Sequence, residues 1–174
     1  MDDSEGFQEF VRGRLATLSR VAYLLAGDHN LAQDLVQSTL MKVALHWRQV
    51  RDASDPDMYV RRVLYNERIS AWRRLGRGAE IMTDSPPERR STVDEAEAAT
   101  RRLMLRQALA RLTPRQRATI VLRYFEDMSV AEAAEVLGCT PNAVRSQTHH
   151  ALGRLRVLAP ELAELIDDSK EVAR

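Results

Sequence analysis

What this chain of 174 residues has little of narrows its nature quickly. It holds one cysteine, Cys139, which excludes a disulfide framework and a four-cysteine zinc site and suits a reducing compartment. No apolar run is long enough to span a bilayer, and the acidic opening "MDDSEGFQEF" is unlike a signal peptide. A soluble intracellular protein, with no membrane insertion, is therefore expected. Bulk charge is almost absent: 26 basic against 25 acidic residues leave a formal +1, so any affinity for nucleic acid must come from local segregation of charge. There is no alternating strand pattern, no internal repeat, no glycine-rich phosphate loop and no metal-spaced cluster. Neither a cofactor nor a metal site is expected.

What is present is helical period. "FQEFVRGRLATLSRVAYLLAG" sets Phe7, Phe10, Val11, Leu15, Leu18, Val21, Ala22 and Leu25 on one stripe, with Gly27 suited to a helix end. Asn30 is the expected cap of "LAQDLVQSTLMKVALHWRQV". Asp55-Pro56 opens "DMYVRRVLYNERISAWRRLGR" with a capping residue and then proline at the first helical position. Residues 1–75 are thus expected to form one helical domain. "GRGAEIMTDSPPERRSTVD", residues 76–94, has glycines, prolines and no apolar period, and reads as a flexible acidic linker. Fully extended, its 19 residues reach roughly 60 Å at about 3.3 Å each. Helical period resumes over 95–174. The expected fold class is all-α, in two small helical domains.

The second domain carries the clearest local signals. Thr113-Pro-Arg-Gln116 and Ser129-Val-Ala-Glu132 are capping boxes. Gly138 supplies a left-handed stop, and Thr140-Pro141 opens a last helix running to about Pro160. From Ser129 to Arg156 this is the spacing of a helix-turn-helix. Val130, Ala134, Val136 and Leu137 are expected to pack on Val144, Thr148, Ala151 and Leu155. That leaves Asn142, Arg145, Ser146, Gln147, His149, His150 and Arg154 outward. No carboxylate lies between 141 and 156 to repel a phosphate backbone, and these donors suit phosphates and base edges. The bland alternative is a helical hairpin with a solvated polar face. Adjacent His149 and His150 point about 100° apart on a helix and make a poor metal pair.

The first domain offers two further faces. "DLVQSTLMKVALHW" has a polar ridge of Asp34, Gln37, Ser38, Met41 and Lys42. "YVRRVLYNERISAWRRLGR" has six arginines against one acid, with Arg61, Arg62, Tyr65, Asn66, Arg68, Ile69, Trp72 and Arg73 expected on its exposed side. Cations interleaved with aromatic and amide groups suit an unpaired strand. A basic solvated helix with Trp72 in the core fits that segment equally well.

"AQDLVQSTLMKV…W", "YVRRVLYNERISAWRR" and "ALARLTPRQRATIVLRYFEDMSVAEAAEVLGCTPNAVRSQTHHALGRLR" occur in that order. Together they resemble the two-domain extracytoplasmic-function class of bacterial RNA polymerase sigma factors, in an arginine-rich style similar to actinobacterial members. The resemblance implies a non-enzymatic protein that binds core polymerase through the β′ clamp helices and β flap, with room for an anti-sigma factor as a further partner. It implies core contacts at Asp34, Gln37, Ser38 and Met41. It implies reading of a single-stranded −10 element by Arg61, Arg62, Tyr65, Asn66 and Arg68, with the loop "RQVRDASDPDM" receiving a flipped base. It implies reading of a duplex −35 element by Asn142, Arg145, Ser146, Gln147, His149, His150 and Arg154. Gln147 and His150 stand where such helices often carry arginine. Two other classes compete. A free-standing regulator with a receiver front half would need strands around an acidic pocket. An enzyme would have His46 with Asp34 and Ser38 as its best constellation.

Overall fold

The structure is a computed structural model that describes residues 3–75 and 93–160; of the linker expected over 76–94, residues 76–92 lie outside the described residues, as does the tail beyond 160, while Val93 and Asp94 already belong to a helix. Four helices build the first module: α1 (Asp3–Ala26), α2 (His29–Leu45), α3 (Trp47–Arg51) and α4 (Pro56–Leu75). The second has α5 (Val93–Ala110), α6 (Pro114–Ile120), a π-helical turn (Val121–Phe125), α7 (Val130–Leu137) and α8 (Pro141–Leu158). The described residues contain no strand.

Local chemistry sets most boundaries. Gly27 adopts φ +75 and stops α1 after the Gly27 N–H bonds the Tyr23 carbonyl. The turn to α2 is so short that Asp28, not Asn30, is the cap, its carboxylate accepting from the Leu31 N–H at 2.8 Å. This corrects the sequence expectation by two residues. Asp55 caps α4 as expected, accepting from the Met58 N–H at 2.9 Å. The helical period that ran unbroken through "ALHWRQV" is interrupted at His46, because Trp47 and Val50 turn inward to be buried. Phe7 and Phe10 of α1 close on the Trp47 ring at centroid distances of 5.4 and 5.1 Å.

The two modules do not keep separate cores. Leu18, Val21, Leu25, Val43, Val60 and Leu64 of the first belong to one buried cluster with Ala118, Val121, Leu122, Ala134, Val136 and Val144 of the second. A smaller cluster joins Leu109, Leu112 and Ile120 to Ala151, Leu152 and Leu155. Ala151 and Leu155 therefore pack on α5 and α6 rather than on α7. The short α7 covers only the first half of α8, where Val144 meets Ala133, Ala134 and Val136.

A buried arginine fastens the modules. Arg117 of α6, 2% exposed, donates Nε to the Leu109 carbonyl at 2.8 Å and Nη1 to the Leu25 carbonyl at 2.9 Å. Its Nη2 donates to the Ala110 carbonyl at 3.0 Å. One planar fork thus satisfies the open carbonyl ends of α1 and α5 together.

Candidate nucleic-acid interface

The outward face of α8 is built by its caps and its packing. Ser129 and Glu132 exchange side-chain and backbone bonds (Ser129 N–H to Glu132 Oε2, 2.7 Å; Glu132 N–H to Ser129 Oγ, 3.2 Å) and fix the start of α7. Hydrogen bonds from the Ser129 side chain, then from its backbone N–H, hold the Glu132 carboxyl below its ordinary value. Gly138 ends α7 at φ 60, ψ 43, and the Cys139 N–H returns to the Ala134 carbonyl at 3.0 Å. Thr140 caps α8 by accepting from the Ala143 N–H at 3.2 Å, ahead of Pro141.

With Val144, Ala151, Leu152 and Leu155 buried, the opposite side of α8 is solvent-facing. Asn142, Arg145, Ser146, His149, His150 and Arg154 are all exposed, and Gln147 is half-buried. Arg145 Nη1 donates to Asn142 Oδ1 at 2.9 Å, pairing a cation with an amide at the N-terminal end of the helix. The His149 and His150 rings meet edge-on at 5.8 Å. All seven sequence-predicted residues of this group share one helix, and six of them one open surface.

The α2 ridge is also open. Asp34, Gln37 and Met41 are exposed, while Ser38 is half-buried and donates to the Leu35 carbonyl at 3.1 Å. Leu31, Met41 and Leu45, at 47, 67 and 79% exposure, add an uncovered apolar stripe at helical spacing. The array that an enzyme would need is not assembled: Ser38 turns to Leu35, and the His46 Nδ1 pairs with the Lys42 carbonyl at 3.0 Å.

The α4 group departs from the sequence reading. Asn66 is exposed, but Tyr65 is 0% exposed and Ile69 is buried, where an open face was expected. The second module covers Tyr65. Arg61 Nε donates to Glu126 Oε1 at 3.0 Å and the Tyr65 hydroxyl to Glu126 Oε2 at 3.1 Å. Arg62 Nη2 donates to Glu135 Oε1 at 2.9 Å. Arg68 Nε turns to the Leu25 carbonyl at 3.0 Å. Burial acts to lower the Arg61 pKa, but its hydrogen bond to Glu126 and that carboxylate's charge outweigh it and leave the value raised. Burial, then the Glu126 charge, pushes the Tyr65 phenol well above its ordinary value, so it stays a neutral donor. Trp72 is neither core nor fully open; it lines a cleft of about 640 Å³ between the modules with Asp34, Ser38, Arg68, Arg111 and Arg154. The loop expected to receive a base is short: Trp47–Arg51 is helical, leaving Asp52–Asp55 as the irregular segment.

Sequence reasoning missed Arg106, Arg117, Glu126 and Glu135. Arg106 Nη1 donates to the Tyr23 hydroxyl at 3.1 Å, 83 positions away. No signal within a helix-length window could reveal such partners.

These features define a two-module helical protein with an exposed, acid-free helix-turn-helix face. A family model described as "Sigma-70 region 2" matches residues 10–78, and one described as "Sigma-70, region 4" matches residues 102–155. The chain is 40% identical over 151 residues to the RNA polymerase sigma-E factor of Streptomyces coelicolor, a match that spans 86% of this chain and 84% of that one. It is 35% identical over 152 residues to the ECF RNA polymerase sigma factor SigL of Mycobacterium tuberculosis, over 84% of this chain and 85% of the relative. Among solved structures it is similar to the sigma factor RpoE of Bartonella quintana in complex with the anti-sigma factor NepR. That match has TM-score 0.68 and 27% identity, over 88% of this chain and 96% of that one. The chain belongs to the sigma-70 family of RNA polymerase sigma factors, in its extracytoplasmic-function (ECF) class. Its activity is accordingly promoter-specific transcription initiation by RNA polymerase, and its relatives are transcription factors rather than enzymes. No helix among the described residues is long and apolar enough to cross a membrane.

Proposed function

We propose that residues 1–75 engage core polymerase and the −10 element, that 76–94 link the modules, and that 95–174 read the −35 element. The uncovered stripe and ridge of α2, with Asp34, Gln37, Ser38 and Met41, dock on the polymerase β′ clamp helices. An amphipathic helix with open apolar positions suits a groove on a partner. The second module docks on the β flap. Asn142, Arg145, Ser146, Gln147, His149, His150 and Arg154 enter the major groove at −35, where the N-terminal half of α8 meets bases and Arg154 a phosphate. Arg61, Arg62, Tyr65, Asn66 and Arg68 hold the unpaired −10 strand.

The observation that carries this reading is the open face of α8, which presents cations, amides and imidazoles without one carboxylate. The chain itself catalyses nothing; phosphodiester formation belongs to the polymerase, and the setting is the bacterial cytoplasm. Each module alone holds DNA weakly, and polymerase joins the two contacts at high effective concentration. An anti-sigma factor is a further partner, as for the similar Bartonella protein. The test is run-off transcription from genomic fragments with purified core polymerase. Defined new start sites are expected on adding this chain, and no gain in start-site choice contradicts the reading.

A further inference from the structure

The cleft of about 640 Å³ that Trp72 lines is unbalanced in charge. Three elements send arginines to it: Arg74 from the end of α4, Arg111 from the turn after α5, and Arg154 from α8. All three are exposed, and none of their guanidinium groups has a hydrogen bond or ion pair with a described residue. Arg68 and Arg117 complete the basic wall, both donating to the Leu25 carbonyl. Three carboxylates oppose them. Asp28 is spent capping α2 at the Leu31 N–H, and Glu67 is paired with Lys42, which leaves Asp34. Cations gathered from separate elements repel one another unless an anion joins them. The remaining wall is apolar, with the half-buried ring of Trp72 beside Leu31, Leu35 and Ala71.

We propose that this cleft is a binding site for a nucleoside diphosphate. Its volume lies within the range of about 300–1,000 Å³ that small ligands occupy, and a few convergent polar groups on an apolar wall are what such sites share. The two phosphates join Arg74, Arg111 and Arg154, because guanidinium forks match phosphate oxygens in shape as well as charge. The base stacks on Trp72, a contact open to any base with a flat face. Asp34, the one uncommitted carboxylate, accepts from a ribose hydroxyl. Charge alone would suit any polyanion; the aromatic ring set beside the cations favours one that carries a base. The proposal does not depend on the promoter assignments.

The test is isothermal titration calorimetry of the full-length chain with GDP, and with guanosine and inorganic pyrophosphate as its two halves, at one fixed ionic strength. Expected is saturable binding of GDP about tenfold or more tighter than of either half. Arg74→Ala and Arg111→Ala, at exposed positions that do not burden folding, should each weaken GDP by about tenfold. GDP should also quench the tryptophan fluorescence of the parent. Trp72→Phe keeps a ring for stacking, so it should still bind GDP while losing that quenching. No saturable heat from GDP, affinity unchanged in both arginine variants, or pyrophosphate binding as tightly as GDP overturns the proposal. So does quenching that persists in Trp72→Phe, which would put the base near Trp47 instead.

Discussion

The Arg117 guanidinium and the Leu25 carbonyl, 92 positions apart, are joined by an N–H···O bond of 2.9 Å that ties the end of α1 to the second module. The same fork donates to the Leu109 and Ala110 carbonyls, so its removal takes hydrogen bonds from both modules at once, although Leu25 still accepts from Arg68 Nε at 3.0 Å. Arg117→Ala is expected to cost about 2–4 kcal/mol, from the loss of its hydrogen bonds to Leu25, Leu109 and Ala110 at roughly 1 kcal/mol each. Arg117→Lys recovers only part of this, since an ammonium lacks the planar fork. Urea unfolding followed by circular dichroism measures both, and stability within 0.5 kcal/mol of the parent, on the order of a typical surface substitution, contradicts the latch.

The open face of α8 yields a prediction about sequence choice. His149→Ala or Ser146→Ala, both at exposed positions, should leave folding intact and change −35 preference by about 1–3 kcal/mol per lost base contact. Holoenzyme transcription from promoters varied at each −35 position reads this directly. An unchanged preference for every position would place a different surface on the duplex.

For α2, Met41 is 67% exposed. Met41→Asp or Asp34→Lys is expected to weaken association with core polymerase by about tenfold or more, without lowering the melting temperature. Competition against a second sigma factor for limiting core enzyme gives the ratio. Equal competition by variant and parent would remove α2 from that interface.

The α7 capping box predicts a pH response. The folded Glu132 carboxyl lies below its ordinary value of 4.5, so its stabilisation is present above that value and is lost as pH falls through the folded one. Glu132→Gln should therefore lower the neutral plateau of a melting-temperature profile slightly and flatten its acid limb between about pH 5 and pH 3. Parallel acid limbs in parent and variant would show that the box carries no linked proton.

How far the sequence reaches follows from the range of the forces involved. Thr113 with Gln116, Ser129 with Glu132, Gly138, and Thr140 with Pro141 were legible because capping acts within four residues. The exposed side of α8 was legible for the same reason, since its buried side is written as a helical period. Asn30 lost to Asp28 because two suitable caps stood two residues apart and the turn at Gly27 chose between them. Tyr65 could not be read correctly from its own helix. Its aromatic ring among arginines suits an open strand-binding face, and only a carboxylate 61 positions onward makes burial tolerable. The π-helical turn that delivers Glu126 likewise leaves no periodic trace in "VLRYFED".

The account turns on polymerase converting two weak, mutually engaged modules into one promoter reader. Footprinting of a single mapped promoter, with permanganate reporting unpaired thymines, compares this chain alone, core enzyme alone and the two together. The account predicts no position-specific protection and no reactive thymines with either component, and simultaneous protection at −35 with reactive thymines at −10 when both are present. Equal protection and melting by the chain without core enzyme, or none with it, would contradict it.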